Sequence, residues 1–108
     1  MTVSMLKDLM GLTAVALPDG EREVTDVYIG DLLSWVMGRA KSGDAWITIM
    51  SNKNIAAVAA LTDCACVVLA EGVKPDEGVA ELAMEKGINI LLSEDSSYRI
   101  ALSISKGL

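Results

Sequence analysis

The chain has 108 residues, of which 52% are hydrophobic and 22% charged, and its formal net charge is −6. This length fits one compact domain, residues 1–108, and the composition is too apolar for a disordered segment. The chain contains no histidine, which excludes histidine general bases and histidine metal ligands within it. The acidic balance argues against a nucleic-acid partner, because binding a phosphate backbone requires a basic surface.

The apolar stretches are shorter than the roughly 20 residues of a membrane span. Lys7 and Asp8 interrupt the first apolar stretch, where a signal peptide has an unbroken apolar block. Cys64 and Cys66 are the only cysteines, and thiols two positions apart rarely close a disulfide. Free thiols are typical of a reducing compartment. The sequence therefore predicts a cytoplasmic protein, and it predicts no metal site because two thiolates would need two further ligands.

The first third of the chain predicts one short helix and two strands. Ser4 is placed to cap a helix that runs through Met10. Residues 13–17 and 24–29 are rich in strand-forming side chains, and the turn at 18–21 separates them.

A second helix is predicted over residues 31–40. Asp31 is predicted to cap it, because a carboxylate suits the positive end of the helix dipole. The spacing of its apolar residues predicts a broad buried stripe, which consists of Leu32, Leu33, Val36, Met37 and Ala40. Trp35 falls beside this stripe, so it is either the edge of the core or an anchor in a protein interface. Trp35 and Met37 are the candidate interface residues.

From residue 45 onward, strand and helix patterns alternate three times with short loops. The apolar run at 64–70 is typical of a strand buried on both faces. Asn54 is predicted to cap the helix after the first of these strands, and Pro75 to occupy the first position of the next helix. Repeated βα units predict a mostly parallel sheet with helices on both faces, a three-layer α/β/α domain. The predicted strands are 45–50, 64–70 and 88–92, and the helices are 55–62, 75–87 and a last one that follows residues 94–96.

In such folds ligands bind beyond the carboxyl ends of the parallel strands, where loops enter helices. The candidate ligand-binding residues in those loops are Asp31, Ser51, Asn52, Lys53, Asn54, Glu71, Gly72 and Ser96. Helix capping alone also explains these polar residues. The surrounding carboxylates outnumber Lys53 and Lys74, which does not suit a polyphosphate unless a metal ion intervenes.

Motifs of known chemistry are absent: the chain has no GxxxxGK[ST] phosphate loop and no GxGxxG after a strand. Glu77, Glu81 and Glu85 repeat every fourth residue, which is typical of a solvated helix face, with partner binding as the alternative. The residues therefore predict no catalytic group and no cofactor.

Four segments together resemble the DRTGG domain family, which is similar in fold to the N-terminal domain of HPr kinase/phosphorylase. They are DLLSWVMG at 31–38, AWITI at 45–49, NIAAVA at 54–59 and INILLS at 88–93. The family's Asp-Arg piece corresponds to Ser51-Asn52 here, and its Thr-Gly-Gly piece to Ala70-Glu71-Gly72. Only Gly72 of these namesake residues is retained.

The resemblance implies an accessory module, of the kind that occurs beside CBS domains in regulated pyrophosphatases, next to kinases, and as small free-standing bacterial proteins. The sequence therefore predicts a non-enzymatic regulatory domain that self-associates, as a homodimer, or docks onto a partner enzyme. The alternative is a domain that senses a small molecule, such as a nucleotide, at the loops beyond the strands.

Overall fold

The computed structural model describes residues 1–108 and contains five helices and five strands. In chain order the elements are α1 (Val3–Met10), β1 (Thr13–Ala16), β2 (Asp26–Ile29), α2 (Leu33–Arg39), β3 (Asp44–Thr48), α3 (Asn54–Thr62), β4 (Cys66–Leu69), α4 (Val79–Lys86), β5 (Ile90–Leu92) and α5 (Ser97–Ser105).

The five strands form one sheet in the order β1-β5-β4-β3-β2. Strands β2 to β5 are parallel to one another, and β1 pairs antiparallel with β5. The predicted mostly parallel sheet is confirmed, with the antiparallel β1 as one edge and β2 as the other. No helix combines the length and apolar composition needed to cross a membrane.

Alternating side chains of the central strands divide the core into two clusters, one on each face of the sheet. Ile47 on β3 packs with Leu6 of α1 and Ile100 of α5. The preceding residue, Trp46, packs on the opposite face with Ile55 of α3 and with residues of α2 and α4. Every residue of β3 and β4 is buried, as expected for central strands covered on both sides. The predicted three-layer architecture is confirmed.

Three of the predicted helix caps are wrong. Thr2, and not Ser4, caps α1, because its side chain accepts the Met5 N–H. No side chain caps α2, whose N-cap position is Leu32, so Asp31 has another role. Asn54 is the first residue of α3 and not its cap.

Two further details of the helices differ from the prediction. Pro75 does not begin a helix: α4 starts at Val79 after a loop, with Gly78 at its N-cap. The predicted broad stripe of α2 is also wrong, since Val36 is its only fully buried residue. Leu32 and Met37 are 59% and 49% exposed. Helix α2 has only seven residues and lies near the edge strand β2, so a single side chain, that of Val36, packs fully into the core.

Candidate functional site

The carboxyl ends of the four parallel strands meet at one edge of the sheet, as predicted, and we call this the C-edge. Each strand opens there into a loop, at residues 30–32, 49–53, 70–78 and 93–96. Backbone hydrogen bonds fasten neighbouring loops together: Asp76 N–H donates to the Ser51 carbonyl at 2.8 Å, and Glu71 N–H to the Asp95 carbonyl at 2.8 Å. The C-edge is therefore a preformed surface, as most ligand sites are.

Asp31 supports the loop after β3. One carboxylate oxygen accepts hydrogen bonds from the Thr48 hydroxyl at 2.8 Å and from the Ile49 N–H at 3.0 Å. This explains why Asp31 does not cap α2: its carboxylate is already occupied by the neighbouring strand. Sequence patterns around residue 31 could not show this, because Thr48 is 17 positions away.

The segment Ser51–Asn54 forms the entry to α3. Asn52 accepts the Asn54 N–H through its side chain at 2.9 Å, so Asn52 performs the local capping that was predicted for Asn54. Lys53 forms no ion pair and lies beside Gly78, where a β-carbon would come 2.7 Å from Lys53 Cε.

Glu71 and Gly72 occupy an unusual backbone conformation in the loop after β4. Their φ angles are +61° and +73°, so two successive residues are left-handed. A β-carbon at Gly72 would lie 2.5 Å from Glu94 Oε2, so a larger residue there would adopt a strained backbone and would also displace the end of the Glu94 side chain. Glu71 adopts the same left-handed conformation although it has a β-carbon, and this strain costs on the order of 1 kcal/mol of stability.

A cavity of about 320 Å³ opens at the C-edge between three segments: the turn from α1 to β1, the start of the loop after β4, and the loop after β5. Its charged lining consists of Lys74, Glu94 and Asp95, and none of these forms an ion pair. Thr13 and Ser93 add hydroxyl groups. The cavity can therefore take a polar molecule of moderate size.

The structure divides the predicted ligand residues. Gly72 lines the 320 Å³ cavity, whereas Lys53 lines a separate cleft with Glu77, Glu81 and Glu85. The other predicted residues line neither: Asp31, Ser51, Asn52, Asn54, Glu71 and Ser96. Ser96 instead caps α5, accepting the Arg99 N–H.

Sequence reasoning missed the contribution of the α1–β1 turn, residues 10–13. Nothing in the local sequence signals it, because the turn reaches the cavity only through the pairing of β1 with β5.

The two thiols lie away from the C-edge cavity, and both are buried. Complete burial raises the pKa of Cys66 to about 12. Burial also raises the pKa of Cys64, and its hydrogen bond with Thr62 offsets only part of this. Both thiols are thus held in the protonated form, which is a poor nucleophile. No group of three or more Cys, Asp or Glu side chains is arranged to hold a metal ion.

The surface of α2 is the second notable feature. Trp35 is 56% exposed, and the Arg39 guanidinium stacks on its ring at 3.8 Å from the ring centroid. Leu32, three positions before Trp35, and Met37, two positions after it, are also exposed, but residues two positions apart on a helix do not share a face. We call Leu32, Trp35 and Arg39 the α2 patch. Tryptophan and arginine are the residue types most enriched where protein contacts are strongest.

Comparison with known proteins gives the family. The sequence profile of the DRTGG domain matches residues 6–106. The chain belongs to the DRTGG domain family. No curated protein sequence matches it.

A solved structure contains a related DRTGG domain. The CBS and DRTGG domains of the regulatory region of Clostridium perfringens pyrophosphatase, complexed with the activator diadenosine tetraphosphate, share the fold with a TM-score of 0.77. The identity is 16%, over 99% of this chain and 47% of that chain. The chain thus spans about half the length of that structure, and at this identity the likeness shows the fold.

The positive φ angles of Glu71 and Gly72 bear on the predicted match to the family's Thr-Gly-Gly piece. The Thr-Gly-Gly piece was assigned to Ala70-Glu71-Gly72, and Glu71 and Gly72 have the positive φ angles that glycine adopts most readily. In that predicted assignment Glu71 takes the place of the first glycine, which fits its positive φ angle, and the assignment stays a prediction.

We expect the Glu71→Gly substitution to raise the free energy of unfolding by about 0.5–1 kcal/mol, because glycine adopts a positive φ without strain. Part of the gain is offset by the greater freedom of glycine in the unfolded chain. Urea denaturation measures the change. Glu71→Ala is the matched control, since it removes the same carboxylate but keeps a β-carbon, and it should not stabilise. A glycine variant less stable than the alanine variant would contradict the strain argument.

Proposed function

We propose that this chain is a non-enzymatic regulatory domain that acts by contact, through self-association or by docking onto a partner enzyme. The observation that carries the proposal is the α2 patch, where Trp35 is 56% exposed under a stacked Arg39. Exposing a tryptophan ring to water is unfavourable. The stacked Arg39 also restricts the side chains of both residues, so less conformational entropy is lost when a partner binds. A DRTGG domain in the regulatory region of a pyrophosphatase supports the proposal.

The Trp35→Ser substitution is expected to weaken the contact by about 2 kcal/mol, or roughly thirtyfold in Kd. Sedimentation over a range of concentrations measures self-association, and pull-down of a candidate partner enzyme by the immobilised chain measures docking. Leu9→Ser is the control, because Leu9 is 73% exposed but lies on α1, on the opposite face of the sheet.

Fluorescence gives a second readout of the same contact. Trp46 is fully buried, whereas Trp35 is exposed, and these are the only two tryptophans. Iodide should therefore quench Trp35 alone, and contact through the α2 patch should protect it. If Trp35→Ser changed neither self-association nor docking, and Trp35 stayed equally quenchable in every complex, the proposed role of the patch would be refuted.

A second candidate function is small-molecule sensing at the C-edge cavity. The specific observation is a preformed cavity of about 320 Å³ whose three charged side chains are unpaired. Lys74 is its only cation, facing Glu94 and Asp95. A polyphosphate such as diadenosine tetraphosphate would therefore bind only with magnesium to offset the two carboxylates.

Thermal unfolding tests this second candidate. With magnesium, diadenosine tetraphosphate or ATP at a hundredfold excess over its Kd should add about 2.7 kcal/mol of stability. Lys74→Ala should abolish the gain, while Lys86→Ala, an exposed lysine at the end of α4, should preserve it. An equal gain in stability in both variants would show that the nucleotide binds outside this cavity. No gain in the unaltered protein would refute nucleotide sensing and leave the contact function as the remaining proposal.

A further inference from the structure

The outer face of α2 carries a glycine that the fold itself does not require. Gly38 is exposed and follows the buried Val36 by two positions, which places it about 200° further around the helix. A β-carbon added at Gly38 would meet nothing within 4 Å, and the φ angle of Gly38 is not positive. Glycine inside a helix is less stable than alanine in the same position. The packing of this chain therefore gives no reason for a glycine here.

Two rows of residues run along the outer face of α2. Ser34 and Gly38 are four positions apart and form a low row. Trp35 and Arg39, also four positions apart, form a high row beside it, with the guanidinium stacked on the ring. A second helix packs into such a step between rows, and glycine lets another backbone approach closely. An extended segment would instead need free backbone partners, which the middle of a helix does not offer.

The charge on the outer face of α2 is positive and has no counterpart. Arg39 is the only charged residue of the helix, and no ion pair of the protein involves it. Stacking on Trp35 leaves the N–H groups at the edge of the guanidinium available. A carboxylate is the side-chain group that this fork binds through two parallel hydrogen bonds. The negative charges elsewhere on the chain are screened beyond about 8 Å at physiological salt, so they do not exclude an acidic partner.

We propose that the outer face of α2 binds a helix of a partner protein that carries an aspartate or glutamate opposite Arg39. The partner helix crosses α2 at Gly38, one of its apolar side chains packs on Trp35, and its carboxylate pairs with Arg39. The inference rests on the proposed function, because it names the chemistry of the partner at the surface through which docking is proposed. It also gives Gly38 a role that the fold of the chain alone does not.

Peptide selection on the immobilised full chain tests the inference without prior identification of the partner. The probe is a phage-displayed library of random helical peptides. Peptides enriched on the unaltered chain but not on Trp35→Ser should carry an acidic residue three or four positions from an aromatic or aliphatic one. Arg39→Glu should raise their Kd at least tenfold, and exchanging the acidic residue of the peptide for lysine should restore binding to that variant.

Substitutions at Gly38 provide a second test, in which stability and binding move in opposite directions. Gly38→Ala should raise the urea midpoint of the chain, because alanine is the better helix former and the added methyl group meets no neighbour. Gly38→Leu should raise the peptide Kd at least tenfold, because its side chain holds the partner backbone away. Ser103→Leu is the matched control, since it adds the same side chain at an exposed position of α5, and it should leave the Kd unchanged.

The outcomes separate this inference from the proposed function. Peptide binding that Trp35→Ser abolishes, but that Arg39→Glu and Gly38→Leu leave intact, would overturn the inference and keep the α2 patch as a contact surface. Enriched peptides without an acidic residue would also overturn it. So would the absence of any peptide enriched above the Trp35→Ser chain, and docking of a partner enzyme would still be measurable by its own test.

Discussion

Replacing Trp46 with alanine should lower the free energy of unfolding by about 3–5 kcal/mol, the usual cost of deleting a large buried aromatic side chain. Trp46 is 0% exposed and is the largest fully buried side chain of the protein. It packs between β3 and the helices on one face, and its ring N–H donates to the Gly30 carbonyl at 2.9 Å. The substitution therefore removes packing and leaves the partly buried Gly30 carbonyl without this donor. Urea denaturation gives the change directly.

Trp35→Ala is the matched control for this prediction, because it deletes the same side chain from an exposed position. We expect it to change the free energy of unfolding by less than about 1 kcal/mol, since surface substitutions seldom exceed this. Trp46→Phe should fall between the two, because phenylalanine fills part of the volume but cannot donate to Gly30. Similar losses at Trp35 and Trp46 would show that the assignment of one to the core and one to the surface is wrong.

The second large effect is expected at Asn89, which lies just before β5 and is 1% exposed. Its side-chain amide donates to the carbonyls of Asp19 and Ala65 at 2.7 and 2.9 Å, and its side-chain oxygen accepts the Asp19 N–H at 2.9 Å. It thereby joins the turn after β1, 70 positions away in the sequence, to the residue just before β4, 24 positions away. Asn89→Ala should cost about 3 kcal/mol, because it leaves the Ala65 carbonyl buried and unpaired.

Asn52→Ala is the control for Asn89, since Asn52 is partly exposed and makes one local hydrogen bond. Its loss should cost about 1 kcal/mol, as for other capping side chains. Hydrogen exchange offers a local readout: in Asn89→Ala, the Asp19 amide should exchange faster. An unchanged exchange rate at Asp19, together with unaltered stability, would contradict the bridging role.

The architecture could be predicted because its signals are local and redundant. The apolar run around Cys66–Leu69 and the alternation of strands and helices after residue 45 both require a sheet covered on two faces. Helix ends that depend on a left-handed glycine were also predictable, and Gly87 ends α4 as its position indicated. Caps were less predictable, because the choice between Thr2 and Ser4 depends on backbone angles that neighbouring residues do not determine.

The candidate site was only partly predictable, for a topological reason. The loops after parallel strands were expected at one edge, and the structure places them there. Which of their side chains line a cavity depends on which already form hydrogen bonds within the protein. Asp31, for example, accepts a hydrogen bond from Thr48 on the next strand. The exposure of the α2 patch could not be predicted from the periodicity of the apolar residues. Their spacing suits a buried helix face, but the seven-residue helix α2 lies at the edge of the sheet and buries only Val36.

The protected thiols make this protein convenient for site-specific labelling. Cys66 is wholly enclosed with a pKa near 12, and Cys64 is 4% exposed. Maleimide reagents react with accessible thiolates, so a single cysteine introduced at an exposed position can be tagged while both native cysteines remain in place. Dyes or spin labels could then report distances between two molecules without disturbing the interior.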